Sequence, residues 1–337
     1  MNRTTIGYTI LIVLFIIAVG FFFYFYQQVQ VYDKKLKEAT STDVPLSTYH
    51  FVLIGEEVDH EYWRLVSEGA KKAEATYGVI VEYEGPKRSN PEEQLKLLDM
   101  AIKSKVDGII VQALNEQFTP LINGAVTNGI PVITVDTDAP GSLRDAYIGT
   151  DNYQAGFLAG KALIEDTNGK ATVGIITGGT GQAYQQHQLR VQGFKDAVDK
   201  VEGINIVAIA ESNLKRVNAE AKAYKMLTEH EEISAFYGTS SLDGMGVVAA
   251  AKTLKRQDNL YVITFDTVEG NIQLLKNGDI DAIVEQEPFE MGEKSIAIML
   301  DIIKGKTVND IYQTNSSIIR KADLPTEKNS EGGSPHD

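Results

Sequence analysis

The sequence predicts an α/β fold built as two lobes, each a parallel sheet covered by helices on both faces, behind a single membrane-crossing helix. Three observations carry this. Short runs rich in Val and Ile alternate with amphipathic helical stretches from Phe51 onward, the pattern of a parallel sheet wrapped by helices. A strand-type run ending in a carboxylate occurs twice, as Val132-Ile133-Thr134-Val135-Asp136 and as Val262-Ile263-Thr264-Phe265-Asp266. The chain's 337 residues, 43% of them hydrophobic, suffice for two domains with cores of their own.

Thr4 to Tyr32 carry no charge, and Ile6 to Tyr26 is almost wholly apolar, long enough as a helix to cross about 30 Å of hydrocarbon. We expect an uncleaved transmembrane anchor over 1–32, with Phe21 to Tyr26 as an interfacial aromatic belt. The alternative is a signal peptide cut at Ala18-Val19-Gly20, which would leave that aromatic run exposed at a new N-terminus. Charge leaves the orientation open, because Arg3 lies on one side and Lys34, Lys35 and Lys37 on the other. Residues 33–48 read as a polar juxtamembrane linker.

The first series of strands is expected at Phe51 to Ile54, Val79 to Tyr83, Gly108 to Val111 and Pro131 to Val135. A helix from Asp59 or His60 to Tyr77 shows Tyr62, Leu65, Val66, Ala70 and Ala73 on one face, with Gly78 as its stop. Asn90-Pro91-Glu92-Glu93 opens a helix running through Lys105, with an N-cap, a proline in the first turn and a glutamate three residues after the cap. A second series follows at Ala171 to Thr177, Ile204 to Ile209, Ala235 to Tyr237, Tyr261 to Phe265 and Ala282 to Val284. The polar tail over 323–337 reads as disordered. Ligands of open α/β sheets sit beyond the carboxyl ends of the strands, so two lobes facing across a cleft would each aim one aspartate, Asp136 and Asp266, into it. A simple cap on the following turn is the competing role for either carboxylate.

Composition narrows the chemistry. A net charge of −14 opposes nucleic-acid backbones. The absence of cysteine excludes disulfides, thiolate metal sites, cysteine nucleophiles and a lipid-modified N-terminal cysteine. The histidines at 50, 60, 187, 230 and 336 have no ligand spacing, so we expect neither metal nor cofactor. Gly178-Gly179-Thr180-Gly181 lacks dinucleotide spacing and a P-loop lysine and reads as a tight loop, and Gly156 to Lys161 is no Walker motif.

Ordered landmarks run the length of the chain: Asp59-His60-Glu61-Tyr62-Trp63, Pro131 to Pro140, Tyr147 to Asn152 with Ala155-Gly156, Arg190 to Phe194, Gly238-Thr239-Ser240 to Gly246, Phe265-Asp266, and Glu285-Gln286-Glu287-Pro288. On these, residues from about Tyr49 to Ala322 resemble the type I periplasmic binding proteins of the ribose/galactose class, the solute receptors of sugar importers. The resemblance implies two doubly wound parallel-sheet lobes joined by a three-strand hinge, lobe 1 over 49–152 and 287–312 and lobe 2 over 153–286 and 313–322. It implies that Asp136 and Asp266 accept hydrogen bonds from sugar hydroxyls and that Arg190 donates to hydroxyl or ring oxygens. Gln286 would sit at a hinge crossing, Asn152 would join the site, and Tyr62 and Trp63 would sandwich the sugar ring. His60, Thr137, Leu214 and Ser240, or Thr239 beside it, stand where the family often carries Asn, Arg, an aromatic and Asn, so the particular sugar is left open. Lactose-repressor-type regulators share this core but begin with a DNA-binding helix-turn-helix, where this chain has an apolar segment.

The function so implied is a non-enzymatic, single-pass membrane protein with an extracytoplasmic domain that binds a small sugar and signals by hinge closure. The recipient would be the permease of an ABC sugar importer or, alternatively, a membrane histidine kinase. A glycoside-acting enzyme using the two aspartates is a third reading.

Overall fold

The computed structural model describes residues 19–30, 49–179 and 184–324. Two units separate, residues 1–48 and 49–337. In the first, residues 19–30 form helix α1, with Phe21, Phe22, Phe23, Tyr24, Phe25 and Tyr26 exposed. Most of the expected anchor over 1–32, the linker over 33–48 and the tail beyond Leu324 lie outside the described residues, as does Thr180-Gly181 of the glycine-rich loop. Among the described residues, no helix is long and apolar enough to cross a membrane.

The second unit contains two six-stranded sheets. The first lobe is built from β1 (His50–Ile54), α2 (Glu61–Tyr77), β2 (Ile80–Glu84), α3 (Pro91–Lys103), β3 (Gly108–Val111), α4 (Phe118–Thr127), β4 (Val132–Val135) and β5 (Ala146–Thr150). The second has α5 (Asn152–Asp166), β6 (Ala171–Thr177), α6 (Gln185–Val198), β7 (Ile204–Glu211), α7 (Arg216–Glu229), β8 (Ala235–Gly238), α8 (Ser241–Thr253), β9 (Tyr261–Phe265), α9 (Glu269–Asn277) and β10 (Ala282–Glu285). The chain then returns with α10 (Pro288–Ile303) and β11 (Ile311–Thr314) to the first sheet, and ends on β12 (Ser317–Arg320) in the second.

Strand order is β2-β1-β3-β4-β5-β11 in one sheet and β7-β6-β8-β9-β10-β12 in the other, the same doubly wound plan twice. All pairings are parallel except β12 against β10. The central strands are buried throughout, because helices cover both faces, and hence they read as unbroken apolar runs rather than alternating ones. β5 escaped the sequence reading because Gly149 and Tyr147 break the Val/Ile run that marks its neighbours. The expected boundary at 312/313 falls inside β11, whose residues through Thr314 pair with β5, so the sheet changes only after that residue. Lys321–Asp323 form a short 3-10 turn where the disordered tail was expected to begin.

Local signals set the helix ends. Asn90 accepts hydrogen bonds from the Glu92 and Glu93 amides at 3.1 and 3.3 Å, and the helix it opens stops at Lys103 rather than Lys105. Gly78 ends α2 in the left-handed region at φ 66°.

Each lobe also holds helices in backbone contact through glycine. Gly69 of α2 lies on the Phe289 carbonyl of α10 and Gly292 of α10 on the Val66 carbonyl of α2. In the second lobe Gly156 of α5 lies on the Arg190 carbonyl and Gly193 of α6 on the Tyr153 carbonyl. The second crossing fixes where α6 places Arg190. A methyl group at Gly156 would meet backbone, which cannot rotate away. Gly156→Ala should therefore cost about 1–3 kcal/mol of stability in urea unfolding, and an unchanged midpoint would show that α6 is free to shift.

Candidate functional site

Two carboxylates enter the space between the lobes from the same device. Asp136 follows β4 and Asp266 follows β9, each in the left-handed region, at φ 62° and 69°. The Asp136 amide donates to the Ile148 carbonyl and the Asp266 amide to the Val284 carbonyl, both at 2.9 Å. The backbone thus stays pinned to the adjacent strand while the chain turns sharply. Asp tolerates this conformation better than most residues, so a short acidic side chain suits both strand ends.

Between the lobes lies a cleft of about 430 Å³, within the range of small-molecule sites. His60, Tyr62, Trp63, Asp136, Asn152, Arg190, Leu214, Ser240, Asp266 and Gln286 all line it. Thr137 does not. Its hydroxyl lies behind Asp136, accepting from Gln112 Nε2 and donating to the Asp136 carboxylate, each at 3.1 Å.

In the first lobe the Asp136 carboxylate also accepts from the Tyr62 hydroxyl at 2.7 Å and from Gln112 Nε2 at 2.9 Å. Burial, with Asp136 alongside, raises the Tyr62 hydroxyl pKa well above the ordinary tyrosine value, so Tyr62 stays a donor. Tyr62 and Trp63 do not form the expected sandwich. Their rings contact each other edge to face, 5.7 Å apart at 78°. Successive residues on a helix point about 100° apart, and here the two rings do not stand as parallel walls. His60 caps α2, its Nδ1 accepting from the Tyr62 amide at 3.2 Å, which assigns the proton of a neutral ring to Nε2.

In the second lobe Arg190 is buried, and its guanidinium lies over the Phe265 ring at 3.9 Å. Its Nε donates to Asn152 Oδ1 at 2.8 Å, Nη1 to the Thr239 carbonyl at 2.8 Å and Nη2 to Gln286 Oε1 at 2.9 Å. The arginine expected as a ligand donor is thus largely occupied in holding the cleft floor. Gln286 Oε1 also accepts from the Thr150 hydroxyl at 2.7 Å, while Nε2 donates to the Asp266 carboxylate at 2.6 Å. Burial raises the Asp266 carboxyl pKa, opposed by the nearby Arg190 charge and the Gln286 hydrogen bond. Ser240 caps α8, and Asn213 and Leu214 sit consecutively in the left-handed region at φ 52° and 53°, a strained loop on the cleft wall.

Sequence reasoning missed Gln112 and Glu56. Both follow strand ends, β3 and β1, the rule that identified the aspartates. Gln112 is buried with Oε1 unpartnered. Glu56 accepts from the Ser89 hydroxyl at 2.6 Å, and burial raises its pKa. His187, also on the wall, is buried and neutral: burial and the Arg190 charge lower its pKa to about 3. Its Nδ1 lies 3.0 Å from the Thr239 hydroxyl, which is 3.4 Å from the buried Asp243 carboxylate. Burial pushes Asp243 up to about 6.

A profile of the periplasmic binding protein domain matches residues 51–307. The D-ribose/D-allose-binding protein of Pseudomonas aeruginosa is 25% identical over 287 residues, covering 80% of this chain and 89% of the relative. The structure of GanP, a glucose-galactose binding protein from Geobacillus stearothermophilus, is 52% identical with a TM-score of 0.78, covering 82% of this chain and 99% of that one. A chain in the XylFII-LytSN complex is 34% identical with a TM-score of 0.73, covering 83% of this chain and all of that one.

His187 and Asp243 give opposed pH dependences. As pH falls from the usual histidine range toward 3, the unfolded chain takes up a proton that buried His187 refuses, and stability falls. Over the window from 3.8 to about 6 the folded chain instead binds the extra proton, at Asp243, and stability rises as pH falls. Asp243→Asn should therefore make urea stability drop more steeply between pH 6 and 4, and His187→Gln should make it drop less or rise. Parallel profiles for parent and both variants would show that neither group is shifted.

Proposed function

The chain belongs to the periplasmic binding protein family, and on that premise we propose that it is an extracytoplasmic receptor that closes two lobes around a small neutral sugar. The observation that carries the reading is the matched pair of strand-end aspartates, Asp136 and Asp266, presented to one cleft from opposite lobes. Ionised carboxylates accept hydroxyl hydrogen bonds at both oxygens. Leu214, Trp63 and the Tyr62 ring offer apolar surface to the C–H faces of a sugar. Glu56, Asp136 and Asp266 outnumber the cations on the wall, and Arg190 is largely engaged, so the cleft suits hydroxyl donors better than sugar phosphates or acids. The likeness to a glucose-galactose binding protein at 52% identity favours a hexose.

Ligand contacts made by both lobes are complete only when the lobes meet, so sugar shifts the population toward closure. The closed shape is the output, and no bond in the sugar is broken. The apolar segment Ile6 to Tyr26 serves as an uncleaved anchor that keeps the domain at the outer membrane-water interface. The recipient is the permease of an ABC sugar importer. A second reading, presentation of the closed form to a membrane sensor kinase, is favoured by the likeness to a chain found in complex with a second protein, LytSN.

A thermal-shift screen of the full chain against D-glucose, D-galactose, D-ribose and D-allose tests the ligand class, because a ligand of the native state raises Tm. If no sugar or polyol moves Tm, the reading fails. Asp136→Asn and Asp266→Asn should each weaken binding of the active sugar roughly 10- to 100-fold in calorimetry, with the far-UV spectrum unchanged. Parent-like affinity in either variant would remove that carboxylate from the site.

A further inference from the structure

Helix α9 starts without a cap of its own. Its N-cap position is Val268, whose side chain has no acceptor, so the amides of the first turn find no side-chain partner within their own lobe. One of them is satisfied from across the cleft. The Glu269 amide donates to Glu61 Oε2 at 2.9 Å, and Glu61 is the first residue of α2, in the other lobe.

The position of this bond gives it leverage. Glu61 directly precedes Tyr62, which holds Asp136, and Glu269 lies three residues after Asp266. Between them is a small recess lined from both lobes by Glu61, Tyr62, Leu65, Thr267 and Val268. The Glu269 carboxylate itself accepts from Gln273 Nε2, one turn along its own helix, at 2.6 Å. Glu61 thus lies at two helix N-termini, its own and that of α9, both of which favour a negative charge.

We infer that Glu61 is an interlobe latch, a cap for α9 that is made only when the lobes meet and that therefore sets how much of the protein is closed and how long a ligand is held. Separating the lobes leaves α9 uncapped, so opening carries a local penalty in addition to the loss of ligand contacts. The part concerning ligand retention rests on the sugar-receptor reading. The part concerning the lobes does not.

The full chain has no cysteine, so Lys96→Cys on α3 and Lys222→Cys on α7, both exposed, give one label site in each lobe. Distances between spin labels at these sites, measured without sugar, report closure directly. Glu61→Ala should shift the open-to-closed ratio about 3- to 10-fold toward open and speed sugar release by a similar factor. Val268→Thr, of nearly the same shape, supplies α9 with a hydroxyl cap from its own lobe. In that background, removing Glu61 should have a smaller effect on the distances. If Glu61 merely stabilises the helix, Val268→Thr would rescue the Tm of Glu61→Ala while the distances never moved. Unchanged label distances in a Glu61→Ala protein that melts like the parent would overturn the latch. Failure of every sugar to bind, with the distances still responding to Glu61→Ala, would refute the sugar reading and leave the latch standing.

Discussion

The site depends on the burial of one guanidinium. Arg190 is enclosed over Phe265 with neutral oxygens as its direct partners, and a buried charge is tolerated only when its donors are met. That demand propagates. Asn152, where the chain enters the second lobe, must turn its oxygen toward Arg190, and Gln286, where the chain leaves it, must do the same. With Oε1 so committed, Gln286 has only its NH2 group to offer Asp266, which fixes the orientation of the Asp266 carboxylate. The position of Arg190 is in turn set by the glycine crossing of α5 and α6, where no side chain separates the helices. Hinge, cleft floor and carboxylate are one connected arrangement.

Much of this was legible in the sequence, in particular places. The repeat of a buried strand ending in Asp announced both the two-lobe plan and the two carboxylates that line its cleft, because both stand at strand ends of parallel sheets. The left-handed turn at each aspartate was not legible, since it follows from the neighbouring strand that captures the amide. Gln112 and Glu56 obey the same strand-end rule, yet a single amide or carboxylate after one strand has no repeat to single it out. Thr137 was expected beside the ligand and lies one layer back, because the turn at Asp136 rotates the next residue behind the carboxylate. The aromatic sandwich came from resemblance alone, and the Tyr62 and Trp63 rings instead meet edge to face on the cleft wall. The bonds by which Arg190 ties floor to hinge were not announced by the sequence.

The paired titration of His187 and Asp243 belongs to the same logic of burial. Loss of water opposes charge on both, so His187 resists a proton while Asp243 takes one up at a higher pH than usual, and both lie within reach of the Thr239 hydroxyl. Their effects on stability have opposite sign over the same acidic window.

The return of the chain from the second lobe to the first has a consequence for biosynthesis. The first lobe begins the domain but lacks α10, which covers α2 across Gly69 and Gly292, and β11, which closes its sheet beside β5. Both come from residues made after β10, whereas the second lobe by then lacks only its edge strand β12. During synthesis the later lobe can complete its core first, leaving the earlier one with an open apolar face until α10 and β11 emerge, an order in which a chain cut short near Gln286 would present that face to solvent and to any chaperone able to hold it.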